Sequence, residues 1–559
     1  MKNRNPVARF FLGSTLTIAF CLTLAVCGSP TGPTPPKLPG VPQGLGIITD
    51  GNGNSTLSWT AVSEADSYKV YHSAAEAGPY LPSTSTTGTS CLLPLYGWYK
   101  VSAVNEAGEG AKSAGVERVP PGGDPKADSP RFLNESDDAE IVPGSYDEAL
   151  SIKISLETGG DAIYFTTDGT VPDVGNPAYL YDGPIDVTAG QTVTITAIAS
   201  GATGYSNSDA AVGTFHVRTW EVVGSAGFSG GAAYEISLTV GPSGTPAVSY
   251  RDGSAANKAT VMRYGGSSWS SLGGAGISPD AAYFTSLSTD SEGSVYLAYF
   301  DADAEGRGTV RKYSGSSWTN LGVTGFTPGT FLHPSLAVHD SGIEVRPYVA
   351  FQDDSSSNKL TVMRYSGSWG LLGSAGITSG TVEFISLAVS SGGVPFVAFK
   401  DGANSDKATV LSYNGAWVSV GSAGFSAGAV SYVSLALGAD GTPYVAYRDG
   451  ANSGKATVMK YTGSWSSVGG AGFTDGTAED IALAAAGDGS LYLAFTDGSQ
   501  GGKASLLKWD GLSWEPVGSA GISAGTVDYV DLALDEDGNP FVAYSDGSVS
   551  GKVTVRAYR

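Results

Sequence analysis

The sequence predicts an all-β protein, two β-sandwich modules followed by a seven-bladed β-propeller of four-stranded blades. Three observations point there. Short stretches such as TLSWTAV (56–62) and SYKVYHS (67–73) alternate apolar and polar residues between turn signals. Seven tryptophans, Trp220, Trp269, Trp318, Trp369, Trp417, Trp465 and Trp514, recur at spacings of 49, 49, 51, 48, 48 and 49 residues. Glycine supplies 79 of the 559 residues, about twice the usual share of roughly 7%, and no helical pattern lies between the repeated strands.

Composition narrows the function classes. With 31 basic and 53 acidic residues the net charge is −22, which excludes nucleic acid as a partner, because phosphate binding needs a basic footprint. The three cysteines, Cys21, Cys27 and Cys91, make no disulfide framework.

At the N-terminus, residues 1–9 carry Lys2, Arg4 and Arg9 and no acid, and residues 10–26 are apolar or small. This is the form of a signal peptide over 1–26, followed by a Pro-rich tether over 27–40. Leu24-Ala25-Val26-Cys27-Gly28 resembles the bacterial lipobox, although Val26 stands where that motif has Gly, Ala or Ser. The resemblance implies cleavage before Cys27, lipidation of Cys27 and a membrane partner through that lipid anchor in the bacterial cell envelope. Without lipidation the same segment is an ordinary secretory signal. No other stretch reaches the ~18 continuous apolar residues of a membrane-spanning helix.

The first sandwich is expected over 41–119. Trp59 in a second strand, Tyr68-Lys-Val-Tyr71 in a third, and Tyr99-Lys-Val-Ser-Ala-Val-Asn105 before Glu106-Ala-Gly-Glu-Gly110 resemble a fibronectin type III domain. That resemblance makes Trp59 and Tyr99 core and corner residues, with Cys91 a small core filler. A linker over 120–130 (PPGGDPKADSP) leads to a second sandwich over 131–218. There Ile163-Tyr-Phe-Thr-Thr-Asp-Gly-Thr-Val-Pro172, Tyr181-Asp-Gly-Pro-Ile185 and Val193-Thr-Ile-Thr-Ala-Ile-Ala199 are similar to the immunoglobulin-like module at the C-terminus of chitobiases and β-hexosaminidases. The resemblance implies an accessory module without catalytic carboxylates. Asp168 and Asp182 sit in Asp-Gly turns, where Asp bonds its own backbone.

The propeller is expected over 219–559. A unit such as 417–464 reads as a Trp strand, a small-residue loop, a strand around SLAL, a Gly turn, a strand PYVAY, a second turn and a strand KATVMKY. After Trp514 only three more strands follow, so Trp220-Glu-Val-Val223 is expected to complete the seventh blade and remove its exposed edge. Each unit also has an acid after the PYVAY strand and a cation six residues on, from Asp252 and Lys258 to Asp546 and Lys552. A sevenfold device serves the blade, and the expectation is a cross-strand charge pair.

Catalytic chemistry would have to break this repeat. The four histidines are His72, His216, His333 and His339, and no HExxH, CxxC pair, GxSxG or phosphate-cradling loop occurs. The Asp-Gly turns precede strands of the PYVAY type where a sialidase Asp box would have Trp, and Asp535-Glu-Asp-Gly538 reads as a solvated turn. No catalytic residue, metal ligand or cofactor is assigned. The leading reading is a non-catalytic envelope lipoprotein whose propeller binds a carbohydrate or protein partner, with the sandwiches as spacers. The alternatives are an extracellular glycan-active enzyme, glycosidase or lyase, and a purely structural surface protein.

Binding residues are sought where the repeat stops repeating. Aligned on the SLAL-like strand, the start of each inner strand carries Glu235, Phe284, His333, Phe384, Tyr432, Asp480 and Tyr529. The residue before each hairpin Asp is Arg251, Phe300, Gln352, Lys400, Arg448, Thr496 or Ser545. Both positions vary in charge and size among near-constant neighbours, as an asymmetric ligand at the channel mouth would require. The competing explanation is drift of solvent-facing positions.

Overall fold

The computed structural model describes residues 37–559 apart from 50–53, 96, 119–125 and 203–204. The signal segment and Cys27 lie outside the described residues. In the first sandwich, Gly46–Thr49, Ser55–Ser58 and Ser90–Leu93 form one sheet. Leu81–Thr86, Ser67–Ser73, Gly97–Asn105 and Gly108–Glu109 form the other, with Val116–Arg118 also paired to Gly97–Asn105. Trp59 meets Tyr68 edge-on at 5.2 Å in the core, and the buried Tyr99 donates its hydroxyl to the Leu95 carbonyl at 2.8 Å. Cys91 is half-buried, and burial pushes its thiol pKa up.

The second sandwich stacks the sheet of Ile185–Val187, Leu150–Ser155 and Arg131–Asn134 on that of Gly144–Tyr146, Ala211–Val217, Thr192–Gly201 and Gly160–Thr166. Ile152, Ile195 and Phe215 fill the space between them. Asp168 accepts the Thr170 N–H at 3.0 Å and its hydroxyl at 2.6 Å, the turn role its sequence suggests.

From Trp220 onward the chain forms seven four-stranded antiparallel sheets. One blade consists of Val430–Leu437, Pro443–Asp449, Lys455–Tyr461 and Trp465–Ser467, counted from the inside out. Each inner strand contacts the next, and the last, Val527–Leu534, contacts the first, Ala233–Gly241, so the ring is closed. Trp220–Val222 pairs antiparallel with the C-terminal strand Lys552–Tyr558, Trp220 opposite Tyr558, and supplies the outer strand of the seventh sheet. The apolar clusters lie between sheets. Ala446 and Val458 of one blade pack with Leu493 and Phe495 of the next, so a single blade has no core of its own.

Three polar devices repeat around the ring. The first belongs to the tryptophans. Each donates its indole N–H to a backbone carbonyl in the preceding blade: Trp465 to Val420 at 2.8 Å, Trp269 to Val223 at 2.7 Å, and Trp220 to Val517 at 2.7 Å across the closure. The glycine after the accepting residue, Gly421 for example, has a φ of +72°, and a Cβ there would lie 3.0 Å from the Trp465 indole nitrogen. Both the conformation and the clearance require glycine.

The second device corrects the expected charge pairs. Asp449 and Lys455 are register partners, yet the aspartate is buried and its oxygens are satisfied by neutral donors. One accepts the Ala451 N–H at 2.9 Å and caps the 3₁₀ turn Gly450–Asn452; the other accepts the Thr457 hydroxyl at 2.8 Å. That hydroxyl in turn accepts the Gly472 N–H, at 2.8 Å, from the loop entering the next blade. Burial explains the substitution of partners: with the Asn452 amide also donating at 2.8 Å, a desolvated carboxylate gains more from three fixed hydrogen bonds than from a solvated lysine.

The third is a belt lining the channel. The Ser434 hydroxyl accepts the Leu483 N–H of the next blade at 3.0 Å, and Ser237, Ser286, Ser335 and Ser386 do the same. Ala482 cannot. Its successor in the belt is Asp531, whose carboxylate accepts both the Leu532 N–H at 2.9 Å and the Leu238 N–H of the first blade at 2.7 Å. Burial pushes this carboxyl up to about 6 against those hydrogen bonds.

Two outcomes follow. Glu221→Pro interrupts the closing strand and is expected to cost about 3 kcal/mol, seen as a lower melting temperature of the propeller; an unchanged melting curve would mean the closure contributes nothing. Asp531 binds a proton more tightly folded than unfolded, so its contribution to stability falls as pH rises from about 4 to about 6. Asp531→Asn removes that loss, and chemical denaturation at both ends of the window should show the variant gaining roughly 2 kcal/mol relative to the parent. A pH-independent difference between the two proteins would refute the assignment.

Candidate functional site

Every inner strand breaks its register at the same place. Pairing shifts between Tyr234 and Ser237 in the first blade and between Ser431 and Ser434 in the fifth, and the other five sheets shift at the matching position. The residue at the start of each bulge is left-handed: Glu235 at φ 53°, Phe284 at 53°, His333 at 47°, Phe384 at 48°, Tyr432 at 51°, Asp480 at 46° and Tyr529 at 56°. None is glycine. A left-handed conformation costs a side-chain-bearing residue about 1–2 kcal/mol, and a bulge re-aims the side chain it carries.

All seven side chains are half-buried and line one cavity of about 280 Å³. They are the seven residues the sequence alignment placed at the start of the inner strands. The residues that follow them, Ile236 and Ile385 among them, also line the cavity and are apolar except for Thr285.

The wall is asymmetric. Four consecutive blades contribute an aromatic arc, with ring centroids 4.9 Å apart for Phe284 and His333, 6.4 Å for His333 and Phe384, and 5.3 Å for Phe384 and Tyr432. Burial lowers the His333 pKa against the charge of Glu383, so the ring is neutral at neutral pH. The remaining three blades contribute Asp480, Tyr529 and Glu235. Asp480 accepts the Tyr529 N–H at 2.8 Å, and Glu235 accepts the Phe284 N–H at 2.6 Å, so each acid also fixes the next blade's bulge. Burial raises both carboxyl pKa values, for Glu235 against the Phe284 N–H and the Arg251 charge, and for Asp480 against the Tyr529 N–H with Asp528 and Glu479 adding to the rise.

The second aligned position is not in the wall. Arg251 stands 3.5 Å from Glu235 but lies over the rings of Tyr234 and Tyr283, at 4.3 and 5.2 Å from their centroids. Arg448 packs against Gly454 in its hairpin. Gln352 donates to the Val382 carbonyl at 2.6 Å, Lys400 pairs with Glu383 at 2.9 Å, and Ser545 donates to the Gly551 carbonyl at 3.0 Å. Thr496, like Arg251, approaches a wall residue, its hydroxyl 3.5 Å from Asp480. The physical reason is the strand pleat: these residues stand opposite the residue before the bulge, on the hairpin side of the sheet.

Asp531, below the cavity, escaped the sequence reading. Its signal was visible as the one acid at a position that is serine in five units.

Residues 141–211 match the family model described as the chitobiase/beta-hexosaminidase C-terminal domain. No curated protein sequence matches the chain. Among solved structures, the Aleuria aurantia lectin in complex with Fucα1-6GlcNAc is similar at 19% identity and a TM-score of 0.38, covering 53% of this chain and 98% of the lectin. An ulvan lyase described as a new polysaccharide lyase family is similar at 13% identity and a TM-score of 0.40, with 60% and 95% covered. A protein of unknown function from Dyadobacter fermentans is similar at 11% identity and a TM-score of 0.36, with 61% and 97% covered.

Proposed function

We propose that the protein is a non-catalytic carbohydrate-binding protein of the bacterial cell envelope, exported by its N-terminal signal and anchored through lipidated Cys27. The two sandwiches, the first of fibronectin type III character, act as spacers, and the ring of seven side chains grips one sugar unit at the propeller mouth. One observation carries this reading: seven near-identical blades each strain the same backbone position to point a different side chain into one cavity. Strain held at such a position marks function more than folding, since folding alone would place glycine there.

The lining suits a sugar. Aromatic faces on one side match the C–H face of a pyranose, and carboxylates on the other accept hydroxyl hydrogens. The cavity, about 280 Å³, is near the lower end of the ~300–1,000 Å³ of small-ligand pockets. The match of the second sandwich to a module named for chitobiases and β-hexosaminidases supports a carbohydrate over a protein partner.

A second reading, a glycan-active enzyme, is favoured by Glu235 and Asp480, two carboxyl groups lining one cavity, the residue type that acid–base pairs use. Product formation from a polysaccharide library, lost in Asp480→Asn, would establish it over the binding reading.

The test of binding is a glycan array with the whole protein and with the double variant His333→Gly and Tyr432→Gly. Glycine relieves the left-handed strain, offsetting lost ring contacts, so melting should stay within a few degrees while affinity for the captured glycan falls at least about tenfold, the loss of two stacking contacts. Full binding by the double variant would move the site off the ring.

A further inference from the structure

We propose that the sugar held by the ring carries a free ammonium group, as in an amino sugar without its N-acyl substituent. This deepens the carbohydrate reading and rests on it. The acidic side of the cavity and the rings beside it have the charge and shape to hold such a group.

Asp480 and Glu235 are the two charged residues among those lining the cavity, and no lysine or arginine joins them there. Asp480 uses one oxygen for the Tyr529 N–H and the distant Thr496 hydroxyl. Glu235 likewise uses one oxygen, Oε2, for the Phe284 N–H and the Arg251 ion pair. The second oxygen of each carboxylate has no hydrogen-bond partner among the described residues. Arg251 cannot swing in to neutralise the cavity without leaving Tyr234, Tyr283 and its hydrogen bond to Asn257, at 3.1 Å.

Beside Asp480 the field is strengthened by the exposed Glu479 and Asp528, which directly precede Asp480 and Tyr529. Uronic and sulfated sugars are repelled by this arrangement. A neutral sugar leaves the charge of Asp480, which unlike Glu235 has no ion-pair partner among the described residues, uncompensated in a partly desolvated cavity. An ammonium supplies three donors, which can bond the unused oxygen of Asp480 and sugar-side acceptors, and forms charge-assisted hydrogen bonds. Asp480 also lies between Tyr432 and Tyr529 in the ring, so a cation bound to it meets aromatic faces as well. The aromatic arc on the opposite wall is what selects a sugar ring over a bare alkyl amine, for it offers flat apolar faces broader than a methylene chain can cover.

Calorimetric titration of the full-length chain at neutral pH and low salt, with the β-1,4-linked glucosamine trimer and its fully N-acetylated counterpart, separates the possibilities. The expected result is at least about tenfold tighter binding of the free-amine trimer, a preference that shrinks in high salt and disappears in Asp480→Asn. The comparison of the two trimers uses the parent protein, so it stands even if the variant folds poorly. Equal or tighter binding of the acetylated trimer would overturn the ammonium and leave the carbohydrate site intact. Binding of lysine amide as tight as that of the amine trimer would overturn the sugar. Silence of both trimers, on a protein that captures no glycan on an array, would overturn the carbohydrate reading itself.

Discussion

The ring depends on the antiparallel pairing of Trp220–Val222 with the C-terminal strand. No blade covers its own faces, because each apolar cluster is built from two neighbouring sheets. Seven such sheets are stable only if the last meets the first, and the chain achieves this by lending the seventh sheet a strand from the far end of the repeat. The seam is reinforced in three layers. Trp220 reaches the Val517 carbonyl at the outside, Gly227 donates to the Thr554 hydroxyl above the hairpin, and Asp531 holds Leu238 at the channel. Each reproduces at the closure a bond that the other blades make to their sequence neighbours.

Closure also explains how the site can be asymmetric. Outer strands, hairpins and belt are constrained by contact with two identical neighbours, so their residues repeat. The bulge residue faces the axis, where it meets no repeated partner, and its identity is free to differ from blade to blade. Freedom alone would permit small or polar residues throughout. Four adjacent aromatic or heteroaromatic rings followed by two acids flanking a tyrosine is an ordered arrangement, and the acids hold the backbone of the following bulge in place as well.

The architecture was legible because propeller repeats write it twice, in the tryptophan spacing and in the alternation of each strand. The terminal strand exchange followed from counting strands after Trp514. The seven bulge residues were found by their variation among constant neighbours, with no sign in the sequence that each would be left-handed. Three things were not legible. Six of the seven hairpin aspartates are hydrogen-bond hubs, Asp301 keeping only the Thr309 hydroxyl, and none is half of an ion pair among the described residues, which depends on burial that periodicity does not report. Arg251 and Arg448 were placed at the mouth because they vary, whereas the pleat turns them along the sheet. Asp531 was passed over as one more strand residue, although a single acid in a serine belt signals a change of role.

The central claim is that the bulge residues form one ligand site, and the direct measurement is a crystal structure of the protein soaked with its best-binding glycan. The account expects sugar density inside the ring, against the faces of Phe384 and Tyr432 and within hydrogen-bonding distance of Asp480. Density on either sandwich, or on the outer edges of the blades with the cavity filled only by water, would contradict it.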